Sequence, residues 1–289
     1  MNGRLLYFFA KSFLKKISCL DYVLIKGEAL SMMAYGKEGQ RNTTDIDILT
    51  SRENVAKFEK ILLDEGYEQD NNTRESRIFC LSKSHQIIPF AKQIDIFKTS
   101  VDINFDILWG EYIGKRIDIK KFISESAEMS IYGCKIKTLS PLKSFVQLVL
   151  HHYKDMNSVF LLATEKCFKI DMFRDIYNLL KNNPKDISLE KLYAVSTGYE
   201  ITPYVYYILY YTGLLFEDEM LNEYINAFAA EEGKELLNCY GLDELERRKW
   251  KVDFQTRLEN DNLHDIIKND LTDKDVEKIA INKKVFLGE

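Results

Sequence analysis

The residues best suited to do chemistry are Asp45 and Asp47, in the run Asp45-Ile46-Asp47-Ile48-Leu49. Read as a strand, this run sends side chains alternately to opposite faces, so the two carboxylates project together above an apolar underside of Ile46 and Ile48. Paired anions repel unless a cation sits between them. Magnesium suits the place, because it takes oxygen ligands and commonly uses one or two carboxylates together with substrate phosphates. The pair alone is weak evidence: with 45 acidic residues in 289, about seven acidic-x-acidic pairs arise by chance. Its surroundings strengthen it. Upstream, the apolar run Tyr22 to Ile25 meets Lys26-Gly27 and passes into a helical segment, Glu28 to Tyr35. A glycine turn that opens a helix offers free backbone N–H groups and a positive dipole end to a phosphate. Gly27 is therefore the candidate phosphate contact, with Lys26 beside it. Arg41, four residues before Asp45, is placed either to clamp a phosphate through its planar fork or to pair with an aspartate.

The elements that must hold these groups can be read outward from them. Leu5, Phe8, Phe9 and Phe13 fall at helical spacing and predict an amphipathic first helix over residues 3–17, interrupted too soon by lysines to serve as an export signal. A polar loop over 37–44 leads into the aspartate strand, and a helix over about 55–65 closes at Gly66. Residues 67–77 read as an exposed loop. Strands are expected at Ile78 to Leu81, Gln86 to Phe90, Ile94 to Phe97 and Val101 to Leu108. The last of these alternates cleanly, with Asp102, Asn104 and Asp106 on one face, which makes Asp102 the preferred third carboxylate over Asp95 on the preceding run. Lys92 and Lys98 near Asp95 are assigned mainly to solvent.

The arrangement Lys26-Gly27, Ala29-Leu30, Tyr35, Arg41 and Asp45-Ile-Asp47-Ile-Leu resembles the uncharacterised bacterial nucleotidyltransferase family of the DNA polymerase beta-like superfamily, over about residues 20–154. The resemblance implies an α/β (α+β) fold: a mixed sheet with flanking helices, in which a strand, a glycine turn and a helix precede the D-x-D strand and a third carboxylate follows on a later one. It implies metal-dependent transfer of a nucleoside monophosphate from a nucleoside triphosphate to an acceptor hydroxyl, with release of pyrophosphate. Asp45 and Asp47 would hold two magnesium ions, manganese being a workable substitute, and Asp102 would hold one of them. Lys26, Gly27 and Arg41 would meet the nucleotide. Such a site clamps the attacking and leaving oxygens between two metals. Three positions depart from the family pattern. Glu28 stands where superfamily members often carry serine or glycine, and Asn104 and Phe105 stand where a histidine and a tryptophan are usual. Ser31, one helical turn on from Glu28, is a candidate hydroxyl for the phosphate.

The rest of the chain reads as a second, helical domain. Residues 1–138 form the expected catalytic domain and 139–289 an acceptor-binding domain whose first helix opens at Ser140-Pro141. Helices are expected at about 159–181, 188–196, 203–216, 218–237, 243–257 and 261–270, followed by a tail with a short strand or coil near 285–287. His151 and His152 are either ordinary helix residues or cleft residues. Asp171 and Asp175 share a helix face as surface or inter-domain contacts, and Tyr204, Tyr206, Tyr207, Tyr210 and Tyr211 favour core packing over base stacking. Net charge is −5, which argues against a nucleic-acid footprint and for a small molecule or protein as acceptor. Five scattered cysteines without C-x-x-C spacing point to reduced thiols and a cytoplasmic location, and no run is long enough to span a membrane. Two further readings stay open: a non-catalytic relative that keeps the fold as an interaction module, and a phosphoester hydrolase that uses the same ligands with water.

Overall fold

The computed structural model describes residues 3–109, 116–164 and 168–288. They divide into two compact units, the first comprising residues up to 109 and 116–144, the second the described residues from 145 onward.

The first unit is built on a seven-stranded mixed sheet. Its elements in chain order are α1 (Gly3–Ile17), β1 (Tyr22–Ile25), α2 (Gly27–Tyr35), β2 (Asp45–Thr50), α3 (Val55–Asp64), β3 (Glu68–Gln69), α4 (Arg74–Lys83), β4 (Phe90–Ile94), β5 (Phe97–Asn104), α5 (Ile119–Ile123), β6 (Ala127–Ile131) and β7 (Cys134–Thr138), with α6 (Pro141–Asn157) crossing into the second unit. The strand order is β3-β4-β5-β2-β1-β7-β6. β2 runs antiparallel to β1 and parallel to β5, and β1 runs parallel to β7. The aspartate strand and its glycine-turn neighbour therefore lie at the centre of the sheet.

Alternation along the central strands sorts the core. Ile46, Ile48, Val101 and Ile103 share one face and are at most 3% exposed. α1 and α3 cover that face: Phe9 meets Phe97 with ring centroids 6.0 Å apart, and Phe58 meets Tyr22 at 6.0 Å. α1 can do this because Leu6, Ala10, Phe13, Leu14 and Ile17 recur at helical spacing and are buried. Asp45, Asp47, Ser100, Asp102 and Asn104 share the opposite face.

Several expected elements differ. Ile78 to Leu81 lies in α4, not a strand: the Thr73 hydroxyl accepts the Ser76 N–H at 3.1 Å as a helix cap, and burial at Ser76 and Cys80, four apart, follows a helical period while Ile78 is exposed. Asp95 is not on a strand. With φ +50° it occupies the turn between β4 and β5, where Ile94 pairs with Phe97. β5 ends at Asn104, and Asp106 lies beyond it.

The second unit holds α7 (Val159–Ala163), α8 (Ile170–Asn182), α9 (Leu189–Gly198), α10 (Thr202–Leu215), α11 (Glu219–Phe228), α12 (Glu231–Leu236), the short antiparallel ribbon of β8 (Cys239–Tyr240) with β9 (Arg248–Lys249), α13 (Phe254–Glu259), α14 (His264–Ile267) and α15 (Asp273–Phe286). Three of the five tyrosines of α10 are core residues: Tyr206, Tyr207 and Tyr211 are buried, the Tyr207 hydroxyl donates to Asn157 Oδ1 at 3.3 Å, and Arg257 donates to the Tyr211 hydroxyl at 2.9 Å, while Tyr204 and Tyr210 are half-buried. The tail is a helix rather than coil, because Thr272 and Asp275 form a complete capping box at its start. Cys19, Cys80, Cys134 and Cys239 are free thiols; Cys167 lies outside the described residues. Among the described residues no helix is long and apolar enough to cross a membrane.

Candidate active site

The centre of the sheet brings three carboxylates onto one face. Asp45 pairs in register with Ser100 and Asp47 with Asp102 across the parallel β2–β5 ladder. Register partners on adjacent strands lie about 4.8 Å apart, so Asp102 is the direct neighbour of Asp47 and the diagonal neighbour of Asp45. Asp47 is 7% exposed, and Asp45 and Asp102 are half-buried. Burial first, and then the charge of Asp47, push the Asp45 carboxyl above the ordinary carboxylate range, while Lys26 and Arg41 act in the other direction. The face therefore draws positive charge.

Lys26 supplies part of it: its Nζ lies 2.8 Å from Asp47 Oδ1. This lysine caps α2 with φ +55° and ψ −141°, and Gly27 follows with φ +43°. Two consecutive residues in the left-handed half of backbone space make a sharp strand-to-helix turn. Position 27 demands glycine both for its φ and because a Cβ there would come within 3.2 Å of Thr43 Cγ2. The turn delivers the N-terminal amides of α2, which helix geometry leaves unpaired, to the end of the sheet where Ile25 pairs with Asp47. Arg41 reaches the same turn, with Nη1 donating to the Gly27 carbonyl at 3.4 Å.

The departures from the family pattern resolve into local packing. Asn104 is buried and its Nδ2 donates to the Ile48 carbonyl at 3.2 Å, tying β5 to β2. Phe105 is buried beneath the Arg52 guanidinium, 4.2 Å from its ring centroid. Asp106 accepts the Leu108 N–H at 3.0 Å and pairs with Arg116 at 3.2 Å, and burial raises its carboxyl above the ordinary range. Glu28 is fully buried, and its Oε2 accepts the Gly39 N–H at 2.7 Å. Ser31, the candidate phosphate hydroxyl, is instead engaged with the loop after α2, accepting the Gln40 N–H at 3.0 Å and donating to the Lys37 carbonyl at 2.9 Å. Thr43, buried against Gly27, was not singled out by the sequence, and neither was Tyr132, whose hydroxyl sits 3.3 Å from where a Cβ on Gly39 would be. Lys92 donates to the Glu65 carbonyl at 2.6 Å, and Lys98 faces Asp70 at the surface.

In the second unit His152 is buried, and His151 Nε2 lies 3.3 Å from Asp155 Oδ2. Asp171 is exposed and pairs with Arg174, whereas Asp175 is buried.

The donor set fits a hard divalent cation, being carboxylate oxygens gathered on one face. Among the described residues no three acidic, imidazole or thiol side chains converge into a ready-made metal cage. What the fold supplies is the shared face, with the Asp47 carboxylate held by an ammonium.

Residues 18–217 match the sequence profile of the family described as an uncharacterised nucleotidyltransferase. Among solved structures, the chain is similar to the lincomycin-bound lincosamide antibiotic adenylyltransferase LnuA, with 18% identity and a TM-score of 0.37 over 62% of this chain and 98% of that one. It is also similar to an antigenic nucleotidyltransferase-like protein from Paracoccidioides brasiliensis, with 14% identity and a TM-score of 0.35 over 78% of this chain and 94% of that one. No curated protein matches it.

Proposed function

Because this chain belongs to the uncharacterised nucleotidyltransferase family, we propose that it transfers a nucleoside monophosphate from a nucleoside triphosphate to an acceptor hydroxyl and releases pyrophosphate. The observation that carries this reading is the β2–β5 register, which sets Asp102 beside Asp47 on the face that also bears Asp45. Asp45, Asp47 and Asp102 would hold magnesium, which when bound neutralises phosphate charge and favours ionisation of the acceptor hydroxyl.

The chain's own groups do the remaining work. Gly27, lacking a side chain, lets phosphate oxygens approach the first amides of α2, where the helix dipole favours an anion. Lys26 balances Asp47 in the free protein and is within side-chain reach of a phosphate at the same turn. Arg41, anchored at the Gly27 carbonyl, presents a planar cation to the phosphate chain. Fixing donor and acceptor in line, with charges set in advance around the reacting phosphorus, accounts for most of the rate in such chemistry. The helical second unit is the proposed source of acceptor selectivity, for a small molecule or a protein rather than a nucleic acid.

A thermal-shift panel of the four ribonucleoside triphosphates, with and without magnesium, tests the reading. At least one nucleotide should stabilise the protein only when magnesium is present, and the shift should vanish in the Asp45→Asn, Asp47→Asn double variant. A flat panel with the wild-type protein would refute it.

A further inference from the structure

We infer that Glu28, together with Ser31, is a positioning residue for the nucleotide: the pair braces the loop after α2 and so fixes Arg41 and Thr43 over the Gly27 turn. The brace is a property of the free protein, and its consequence for nucleotide affinity rests on the function proposed above.

Glu28 and Ser31 lie three residues apart on α2 and therefore on one face of it. Both are 0% exposed. Between them they engage the backbone of the loop at three positions: the Lys37 carbonyl and the Gln40 N–H through Ser31 Oγ, and the Gly39 N–H through Glu28 Oε2. The loop can present these groups because Gly36 and Gly39 both adopt φ +72°. Arg41 follows Gln40 directly, donating to the Gly27 carbonyl, and Thr43 packs on Gly27 two residues further on.

A buried carboxylate is costly unless hydrogen-bonded; here Oε2 is engaged by the Gly39 N–H, while Oε1 is buried without a hydrogen-bond partner among the described residues. An amide donating to an ionised acceptor makes one of the stronger hydrogen bonds available. A Cβ on Gly3 would lie 1.9 Å from Glu28 Oε1, so the carboxylate sits against the first residue of α1, where the helix dipole favours an anion. Tyr132 closes the other side: burial, and then the charges of Glu28 and Glu38, hold its phenol above the ordinary range. The acid at position 28 is thus committed to the loop, and Arg41 is held at the turn before any nucleotide arrives. A loop ordered in advance removes the entropic cost of ordering it on binding.

The test combines hydrogen exchange of the full chain without nucleotide and calorimetric titration with MgATP, on the wild type and on Glu28→Ala, Glu28→Gln and Ser31→Ala. Glutamine keeps an acceptor oxygen for Gly39; alanine does not. Loss of a hydrogen bond to a buried charged group should speed exchange at Gly39 and Gln40 about tenfold or more in Glu28→Ala and raise its MgATP Kd about tenfold. Glu28→Gln should restore most of both, and Mn²⁺ binding without nucleotide should stay at the wild-type level in all variants. Ser31→Ala should speed exchange at Gln40 and weaken MgATP in the same direction, and it carries the test if Glu28→Ala does not fold. Unchanged exchange in Glu28→Ala and Ser31→Ala overturns the brace. Faster exchange with unchanged MgATP affinity overturns the positioning role. If the wild type binds no nucleotide of any base, the proposed function fails, and the brace is judged on exchange alone.

Discussion

Replacing Asp45 by asparagine should make the free protein more stable and at the same time remove its metal-dependent nucleotide binding. Carboxylates two residues apart on a strand are about 7 Å apart. At that distance two unit charges repel by about 0.6 kcal/mol in the dielectric of water and by about 2.4 kcal/mol at an effective value near 20. Asp102, in register with Asp47, adds to the repulsion. Lys26, 2.8 Å from Asp47, offsets part of it. A net gain of about 1 kcal/mol is expected for Asp45→Asn, or about 2–4 °C in melting temperature. The same substitution takes one anionic oxygen ligand from the face, so the stabilisation by magnesium and nucleotide together should be lost. The assay is thermal unfolding of wild type and variant, with no addition, with magnesium alone and with magnesium plus each nucleotide. A variant that melts lower than wild type in the absence of ligands would refute the electrostatic account. One that still responds to magnesium and nucleotide would refute the assignment of Asp45.

Other substitutions probe the turn and the second unit. Lys26→Gly should be more stable than Lys26→Ala by about 1 kcal/mol, because both lose the ammonium but only glycine relieves the positive φ; chemical denaturation of the pair checks the order. Gly27→Ala forces a side chain into a residue with φ +43° and against Thr43, and should cost about 1–2 kcal/mol by the same measurement. In the second unit, burial pushes the Asp275 carboxyl up, but hydrogen bonds from Thr272 and the Arg248 guanidinium outweigh it and hold the group below the ordinary range. A depressed carboxyl contributes stability above its unfolded pKa, near 4, and loses it as pH falls through the folded value. Asp275→Asn should therefore cost about 1–3 kcal/mol at pH 7 and flatten the loss of stability below pH 4 in acid titrations followed by circular dichroism.

The central motif was legible because its signals are local. Alternation in Asp45 to Leu49 gave the shared face, and Lys26-Gly27 before a helical segment gave the turn. The choice of Asp102 over Asp95 rested on strand length, and the fold separates them for a related reason: Asp95 is the turn residue that lets β4 pair with β5. Misreadings came where an apolar run hid a capping signal. Ile78 to Leu81 suggested a strand, but Thr73 and the buried pair Ser76 and Cys80 make it helical. The tail contained the Thr272-x-x-Asp275 box that starts α15. Glu28 stood out in the sequence only as a departure; its part in holding the loop could not be read there, since its partner Gly39 is eleven residues away and only the folded loop brings the amide to it. The hairpin of β6 and β7, turning at Tyr132-Gly133 with φ +47° and +75°, was likewise missed, because Tyr-Gly is not among the Asn-Gly, Asp-Gly and Gly-Gly pairs that mark such a turn.

The most direct test of the shared carboxylate face is a Mn²⁺ titration, followed by electron paramagnetic resonance, of the wild type and Asp102→Asn in the presence of a non-hydrolysable nucleoside triphosphate. The account predicts two bound ions per chain for the wild type and one for Asp102→Asn, with the nucleotide required for full occupancy. Equal stoichiometry and affinity in the two proteins, or no protein-bound Mn²⁺ in either, would contradict it.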